Sequence, residues 1–239
     1  MLRGPYTARE LVTQSVRIGV FVPLAELQAL LPPGFLARAV PAGSDTAVVF
    51  LNFFFQTRME RPGVGAGFGN FGPYSSLQIQ TSVVNPENVV EGFFWLANLV
   101  SNPDVVPLQN SIFGPGSSRA ATLKFEIEEE NGVLRMKAGV KDKELALNLN
   151  VVAEGPTAVF ATRFGGNNLS RSRFQNQDNP VMANSQALFV VQGDNAGNQP
   201  ADNVELSTTE LRLPGGDLHV ITVGGFTFLR NVEHTYRIP

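Results

Sequence analysis

The sequence has no cysteine and only two histidines among its 239 residues. The absence of cysteine excludes disulfides, thiolate metal sites and cysteine nucleophiles. The two histidines, His219 and His234, do not have the spacing of metal ligands, so we expect neither a structural nor a catalytic metal ion. Any chemistry must therefore come from other residue types.

Charged residues are also few, at 16% of the chain against about 25% in an average soluble domain. So low a fraction suggests either a broad buried interior or a surface covered by subunit contacts, and we expect a homo-oligomer. The net charge of −3 gives no sign of a nucleic-acid or anionic-membrane partner. No segment approaches the roughly 18 uncharged apolar residues of a membrane span, and no apolar signal core follows Met1. We therefore expect a cytoplasmic protein.

What the sequence does contain is a series of strand patterns. Ala47–Phe55 is apolar except for Asn52, and its valines and phenylalanines favour a buried strand over a helix. Asn131-Gly132 separates the alternating segments Leu123–Glu130 and Val133–Val140, which predicts a hairpin. Further strands are predicted over Val16–Val22, Ser75–Val84, Gly92–Val100, Leu145–Val152, Thr157–Phe164, Val204–Leu213 and Asp217–Leu229.

Helical patterns are rare by comparison. Leu24–Leu31 predicts a short amphipathic helix that follows Pro23, and the polar segment Asn167–Gln186 predicts a long loop. The predicted fold class is mostly β (α+β), as a single antiparallel domain over residues 1–239. Its sheet should be closed or half-closed to protect the edge strands.

Short motifs before about Gly139 follow one another in an order known from one enzyme family. The chain opens Arg3-Gly4-Pro5-Tyr6, continues with Arg9-Glu10, and later reads Tyr74-Ser75-Ser76. Further matching segments are Leu24–Pro33, Asn98–Asp104 and Gly132–Asn148. In their order and spacing these motifs resemble the acetoacetate decarboxylase family. The resemblance implies a cone-like antiparallel β-barrel with a few short helices, and no cofactor.

The departures from the family pattern fall at its catalytic residues. The family uses a Pro-Lys-Lys segment whose first lysine forms a Schiff base with the substrate ketone, and a Tyr-Thr-Glu motif whose glutamate is catalytic. This chain reads Phe113-Gly114-Pro115-Gly116-Ser117-Ser118-Arg119 in place of the lysine segment, and Ser76 in place of the glutamate. Gly116 or Ser117 replaces the Schiff-base lysine, and Ser117 or Ser118 the second lysine. Of the family's central charged residues only Arg9 remains.

No other lysine is predicted to replace the missing one. A Schiff-base lysine must be partly buried so that its pKa falls toward neutrality. Lys124 and Lys137 lie on the polar faces of their predicted strands, and Lys141 and Lys143 flank Asp142 in a polar turn. We therefore expect all four lysines to face solvent.

A row of polar residues interrupts the apolar strands. Ser76, Gln78, Gln80 and Ser82 share one face of a predicted strand. Because antiparallel sheets commonly expose one face to water, an exterior wetted face is the favoured interpretation. The alternative is a barrel interior with neutral hydrogen-bonding groups around a ligand.

Two functions fit these observations. The first is a lyase-type or cyclase-type enzyme acting on a small or polyketide-like carbonyl or carboxylate compound, with Arg9 anchoring an oxygen and hydrogen-bond donors stabilising oxyanion charge. The alternative is a non-catalytic small-molecule binder on the same barrel. An enzyme also needs a proton carrier, for which the candidates are Glu10, Glu60 and Glu91.

The candidate site residues divide into two groups. The predicted catalytic residues are Arg9, Ser76 and Ser117, and the predicted substrate-binding residues are Tyr74, Trp95, Phe113, Gly116 and Arg119. An apolar pocket floor is expected from Phe53, Phe55, Phe93, Trp95 and Phe113.

Overall fold

The computed structural model describes residues 6–31, 33, 35–60, 71–84, 87, 90–113, 118–131, 133–142, 145–153, 160–171, 186–199, 204–206, 210–213 and 215–238. The strands are β1 (Tyr6–Pro23), β2 (Leu36–Ala37), β3 (Thr46–Glu60), β4 (Phe71–Val84), β5 (Val90–Val100), β6 (Arg119–Ala120), β7 (Thr122–Glu130), β8 (Val133–Lys141), β9 (Ala146–Ala153), β10 (Phe160–Arg171), β11 (Gln186–Gln199), β12 (Val204–Leu206), β13 (Glu210–Leu213), β14 (Gly216–His219) and β15 (Thr222–Ile238). The helices are α1 (Leu24–Leu30) and α2 (Val105–Phe113). The predicted mostly-β class is confirmed.

The largest sheet has the strand order β10-β11-β15-β1-β3-β4-β5-β6, with β2 paired to β4. All of its pairings are antiparallel except the short parallel pair β5–β6. The sheet curls far enough for β10 to approach β5. Within the described residues no strand pairing joins its two ends, so the sheet is open and closure into a barrel is not confirmed.

One face of the large sheet forms the core. Strand β3 alternates strictly, so that Val49, Leu51 and Phe53 all point to this face and are fully buried. They pack against the second sheet, whose order is β12-β9-β8-β7. The Phe53 and Phe125 rings meet edge to face across the two sheets, with centroids 5.5 Å apart. This contact joins the two sheets across the core.

The predicted hairpin and the predicted first helix are both confirmed. Strands β7 and β8 pair in register on either side of the turn, where Asn131 has the left-handed φ of 52° that a tight hairpin turn requires. Helix α1 starts after Pro23, buries Leu27 and Leu30, and ends just before the sequence reaches Pro32.

Helix α2 was not predicted, although its start carries a recognisable signal. The Asn102 side-chain Oδ1 accepts a hydrogen bond from the Asp104 backbone N–H at 2.9 Å, and Pro103 follows the asparagine directly. Asparagine followed by proline is a typical helix start. Neither α1 nor α2 is long and apolar enough to cross a membrane, and these are the only helices in the described ranges.

The predicted loop over Asn167–Gln186 is wrong at both ends. Strand β10 continues to Arg171, and β11 begins at Gln186. Residues 172–185 lie outside the described part of the chain. The polar residue types in this segment predicted a loop, but the backbones of β10 and β11 pair with neighbouring strands.

One carboxylate links the small β13–β14 hairpin to α1. Glu26 accepts hydrogen bonds from the backbone N–H of His219 at 2.8 Å and lies 2.9 Å from the His219 Nδ1. The backbone hydrogen bond is the main reason that the pKa of Glu26 lies below its ordinary value of 4.5. A carboxyl group whose pKa is lower in the folded state than in the unfolded state stabilises the fold when it is ionised. This stabilisation is fully present above the ordinary pKa of 4.5 and is lost as the pH falls through the lowered pKa.

We therefore expect Glu26→Gln to melt below the wild type at pH 7, with a smaller difference at pH 3. Thermal unfolding followed by circular dichroism at both pH values measures this. Glu87→Gln, at an exposed turn, is the control and should show no pH-dependent difference. A gap for Glu26→Gln that persists unchanged at pH 3 would contradict the assigned role.

Candidate functional site

The second face of the large sheet carries polar and aromatic side chains. Its members occupy one face of four adjacent strands in register. They are Arg17 in β1, Phe50 and Asn52 in β3, Tyr74, Ser76, Gln78 and Gln80 in β4, and Phe93, Trp95 and Asn98 in β5. We call this surface the polar face. Its centre is a row of amides, because Asn52 pairs in register with Gln78 and Gln78 with Asn98.

The central part of the polar face is buried. Ser76 is 0% and Gln78 4% exposed, while Gln80 and Ser82 are half-buried. The interpretation as an exterior wetted face is therefore wrong for Ser76 and Gln78. The alternative, an interior lined by neutral hydrogen-bonding groups, describes their environment.

A chain of hydrogen bonds crosses the buried end of this face. Asn98 Nδ2 donates to Gln109 Oε1 at 2.8 Å, and Gln109 Nε2 donates to the Tyr74 hydroxyl at 3.4 Å. The Tyr74 hydroxyl in turn donates to Glu10 Oε1 at 3.0 Å. Each group donates a hydrogen bond to the next one along the chain, and the last acceptor is the Glu10 carboxylate.

The residues of this chain come from four elements. Glu10 is in β1, Tyr74 in β4, Asn98 in β5 and Gln109 in α2, and each is nearly or completely buried. Burial raises the pKa of Tyr74 well above its ordinary value, and the negative charge and hydrogen bond of Glu10 raise it further. The phenol therefore keeps its proton at neutral pH and directs it to Glu10.

Ser118, in the segment predicted to stand in place of the family's lysines, joins the same network. Its Oγ accepts a hydrogen bond from Asn98 Nδ2 at 2.6 Å. Its backbone N–H donates to Asn110 Oδ1 at 2.8 Å, and its carbonyl accepts from Asn110 Nδ2 at 3.3 Å. The residue directly after Ser117 is thus fixed between β5 and α2.

Several buried polar atoms beside the network have no hydrogen-bond partner among the residues that the structure describes. They are Thr57 Oγ1, Ser76 Oγ, Gln78 Nε2 and Asn98 Oδ1. Native proteins satisfy nearly all buried polar groups, so a cluster of unsatisfied ones needs an explanation. Such a cluster is typical of a site that binds a ligand or ordered water.

Comparison with known proteins identifies the fold. No protein-family model matches the sequence, and no curated protein sequence matches it. Solved structures do match. The enduracididine biosynthesis enzyme MppR with HEPES buffer bound superposes with a TM-score of 0.55 at 10% identity, over 99% of this chain and 87% of that one.

Two further solved structures agree with this match. MppR complexed with the condensation product of pyruvate and imidazole 4-carboxaldehyde gives a TM-score of 0.54 at 10% identity, over 100% of this chain and 90% of that one. An acetoacetate decarboxylase gives 0.52 at 12% identity, over 99% and 88%. The chain has the acetoacetate decarboxylase fold. At such low identity the likeness establishes the fold alone.

Within the acetoacetate decarboxylase fold, the predicted substrate-binding residues Tyr74 and Trp95 lie on the polar face with Ser76. Arg119 is in β6, where its Nε forms an ion pair with Asp142. Arg9 lies in β1 between Glu60 of β3 and Thr235 of β15.

Other residues of the predicted site lie outside the described part of the chain, either wholly or in their side chains. Gly116 and Ser117 lie outside the described residues, and so do the side chains of Arg9 and Phe113. Phe113 is the last residue of α2. The expected meeting of Ser76 with the Gly116-Ser117 segment therefore stays a prediction. The described neighbour Ser118 bonds to Asn98, whose register partner Gln78 shares its face with Ser76.

The expected pocket floor is wrong in part. Phe53 and Phe55 lie on the core face, where both pack on Phe125 with centroids 5.5 Å and 4.7 Å away. Alternation along β3 places them opposite Asn52. Of the residues expected to form the floor, Phe93 and Trp95 do lie on the polar face.

Two functional candidates were missed by sequence reasoning. Gln109 was missed because α2 was not predicted. Arg17 was missed because it lies in a strand that reads as apolar, although its position between the core residues Val16 and Ile18 places it on the opposite face. Its guanidinium carbon lies 4.1 Å from the Phe50 ring centroid, and burial lowers the pKa of Arg17 to about 10.

A separate groove of about 760 Å³ lies along the second sheet. Its polar lining residues are Lys124, Glu126, Lys137, Asn148 and Asn150. Lys124 and Lys137 are exposed there, and Lys141 is exposed elsewhere, as predicted for these three lysines; Lys143 lies outside the described residues. The polar groups that line this groove are exposed or half-buried, whereas the central hydrogen-bonding groups of the polar face are buried. We therefore take the polar face as the candidate site.

Proposed function

We propose that this protein is an enzyme that acts on a small or polyketide-like carbonyl or carboxylate compound in a lyase-type or cyclase-type reaction. The observation that carries the proposal is the buried Glu10 carboxylate, which ends a directed hydrogen-bond chain from Asn98, together with the buried donors of Ser76 and Gln78 that have no partner among the described residues. A positioned proton carrier is what separates an enzyme from a binder on the same fold.

The names of proteins with a similar fold support a substrate that contains a carbonyl group. One is an acetoacetate decarboxylase, and another is a biosynthesis enzyme complexed with a condensation product of pyruvate and an aldehyde. Both names concern compounds in which a carbonyl lies next to a reacting carbon. We extend that substrate class, and not a particular reaction, to this chain.

Glu10 is the proposed proton carrier. It is 1% exposed and accepts the hydroxyl proton of Tyr74 in a hydrogen bond of 3.0 Å. A buried carboxylate can take a proton from the carbon next to a carbonyl and return it later, and Tyr74 holds the carboxylate in one orientation. Because its one hydroxyl hydrogen is directed to Glu10, Tyr74 positions the base and is not the oxyanion donor.

Ser76 and Gln78 are the proposed oxyanion donors. Ser76 Oγ and Gln78 Nε2 are buried and have no partner among the described residues. Removing a proton next to a carbonyl places negative charge on the carbonyl oxygen, and preorganised donors in a water-poor site stabilise that charge. Arg9 and Ser117 are proposed to assist them, with Trp95, Phe113, Gly116 and Arg119 in contact with the rest of the substrate.

The test is a substrate screen by proton NMR in deuterium oxide. Acetoacetate, and pyruvate with imidazole 4-carboxaldehyde, are incubated with the protein. Catalysis gives faster decarboxylation, condensation, or deuterium exchange at the carbon next to the carbonyl than heat-denatured protein gives. Saturable binding of these compounds without any of these changes would instead support the non-catalytic binder.

We predict that no imine forms during such reactions. Lys124, Lys137 and Lys141 are exposed on the described strands, whereas a Schiff-base lysine must be at least partly buried. Borohydride treatment with acetoacetate followed by intact-mass measurement should leave the protein mass unchanged. A reduced adduct mapped to any lysine would overturn the proposal of a Schiff-base-free mechanism.

A further inference from the structure

Arg17 is a half-buried cation on the polar face. Its Nε is buried without an acceptor, and no carboxylate pairs with it among the described residues. Its register partners are Asn52 and Thr227, and neither residue type carries a charge. With a pKa of about 10, the guanidinium is still charged at neutral pH. Such a charge destabilises the fold unless something compensates it.

Aromatic rings provide part of the compensation. The guanidinium carbon lies over the Phe50 ring at 4.1 Å and 5.5 Å from the Phe93 centroid, and the two rings meet nearly edge to face at 6.3 Å. Contact with a ring uses a face of the guanidinium. The N–H donors lie in its plane, where they match a carboxylate with two parallel hydrogen bonds.

The same strands connect Arg17 with the proposed reacting end. Phe50 pairs in register with Gln80, which lies four residues from Ser76 along β4. At about 3.3 Å per residue this corresponds to roughly 13 Å. A ligand that touches both ends must be extended. The rings of Phe50, Phe93 and Trp95 lie at the Arg17 end of the polar face, so they favour a planar, unsaturated segment there.

We propose that Arg17 binds the carboxylate of an extended, unsaturated or aromatic acid whose far end reaches Ser76. The identity of the reacting end rests on the function proposed above. Binding of the acid to Arg17 does not, because it requires no turnover. The proposed substrate is longer than acetoacetate, anionic at one end and unsaturated next to that end.

The experiment is an equilibrium titration with trans-cinnamate and with its uncharged amide, trans-cinnamamide. Trp95 is the only tryptophan in the sequence, and it lies on the polar face, so its fluorescence reports binding there directly. We expect cinnamate to change the Trp95 emission saturably and cinnamamide to bind at least tenfold more weakly. Equal affinity for the two compounds, or no saturable response to cinnamate, would overturn the proposal.

Variants assign the effect to Arg17. Arg17→Met retains length and apolar contact without the charge and should weaken cinnamate binding at least tenfold, while Arg17→Lys retains the charge without the planar fork and should be intermediate. Arg58→Met, at an exposed position of β3, should bind like the wild type. Unchanged cinnamate affinity in Arg17→Met would refute the assignment.

Thermal melting without ligand separates binding from a structural role. Removing an uncompensated charge should make Arg17→Met at least as stable as the wild type, while cinnamate should raise the melting temperature of the wild type only. If Arg17→Met melts well below the wild type and cinnamate stabilises both equally, Arg17 is a structural residue. A negative substrate screen alongside Arg17-dependent cinnamate binding would refute the catalytic proposal and leave this one standing.

Discussion

Glu10→Gln should lower turnover of any substrate found by about 10²–10⁴-fold, the usual contribution of a general acid or base. Glutamine has the same shape and can still accept the Tyr74 hydrogen bond through its amide oxygen, but it cannot take up a proton. Binding should therefore change little while the catalytic rate falls. Glu10 is the one carboxylate of the buried hydrogen-bond chain, and the phenol and two amides that make up the rest of the chain cannot replace it as a base.

The measurement is the rate of deuterium exchange or product formation at saturating substrate. Glu60→Gln is the matched control, since Glu60 is a second predicted proton carrier and lies half-buried in β3 opposite Arg9. It should retain most of the activity. If Glu60→Gln loses activity and Glu10→Gln does not, the proton carrier has been assigned to the wrong strand.

Phe53→Ala should destabilise the fold by about 3–5 kcal/mol, because it removes a fully buried aromatic ring from the contact between the two sheets. For a chain of this size each kcal/mol lowers the melting temperature by roughly 2–4 °C. The polar face should remain intact in any molecules that are still folded, since Phe53 points to the opposite side of β3.

Urea unfolding of the wild type, Phe53→Ala and Phe53→Leu measures the effect. Leucine keeps much of the apolar volume and should cost less than about 1.5 kcal/mol. A loss below about 1 kcal/mol for alanine would mean that Phe53 lines an open pocket, as the sequence had suggested, and not the core.

Strands with regular patterns could be predicted from the sequence, and strands stabilised by their neighbours could not. The apolar run of β3 and the alternating hairpin β7–β8 were recognisable because local pattern and final environment agree. Strand β11 carries Gly193, Asn195 and Asn198, which disfavour strands. It forms because β10 and β15 supply hydrogen-bond partners on both sides.

The candidate site was predictable only where a single strand determines it. The shared face of Ser76 and Gln78 follows from alternation, but its burial depends on how the sheet curls and on α2. Helix α2 contains Val105, Val106 and Ile112, residues with modest helix propensity, so Gln109 could not be assigned to the site. Glu10 was named as a candidate, yet its hydrogen bond to Tyr74 spans 64 residues of sequence and no local pattern indicates it.

Strand β1 pairs with β3 on one side and with β15 on the other, with Tyr6 opposite Ile238. During synthesis, β1 leaves the ribosome long before β15 exists, and one of its edges stays open throughout that time. An unpaired edge attracts other strands, and contacts between residues so distant in sequence slow folding. The sheet can therefore be completed only late in translation. The proposed base Glu10, which pairs in register with His234 of β15, acquires its final surroundings at the same late stage.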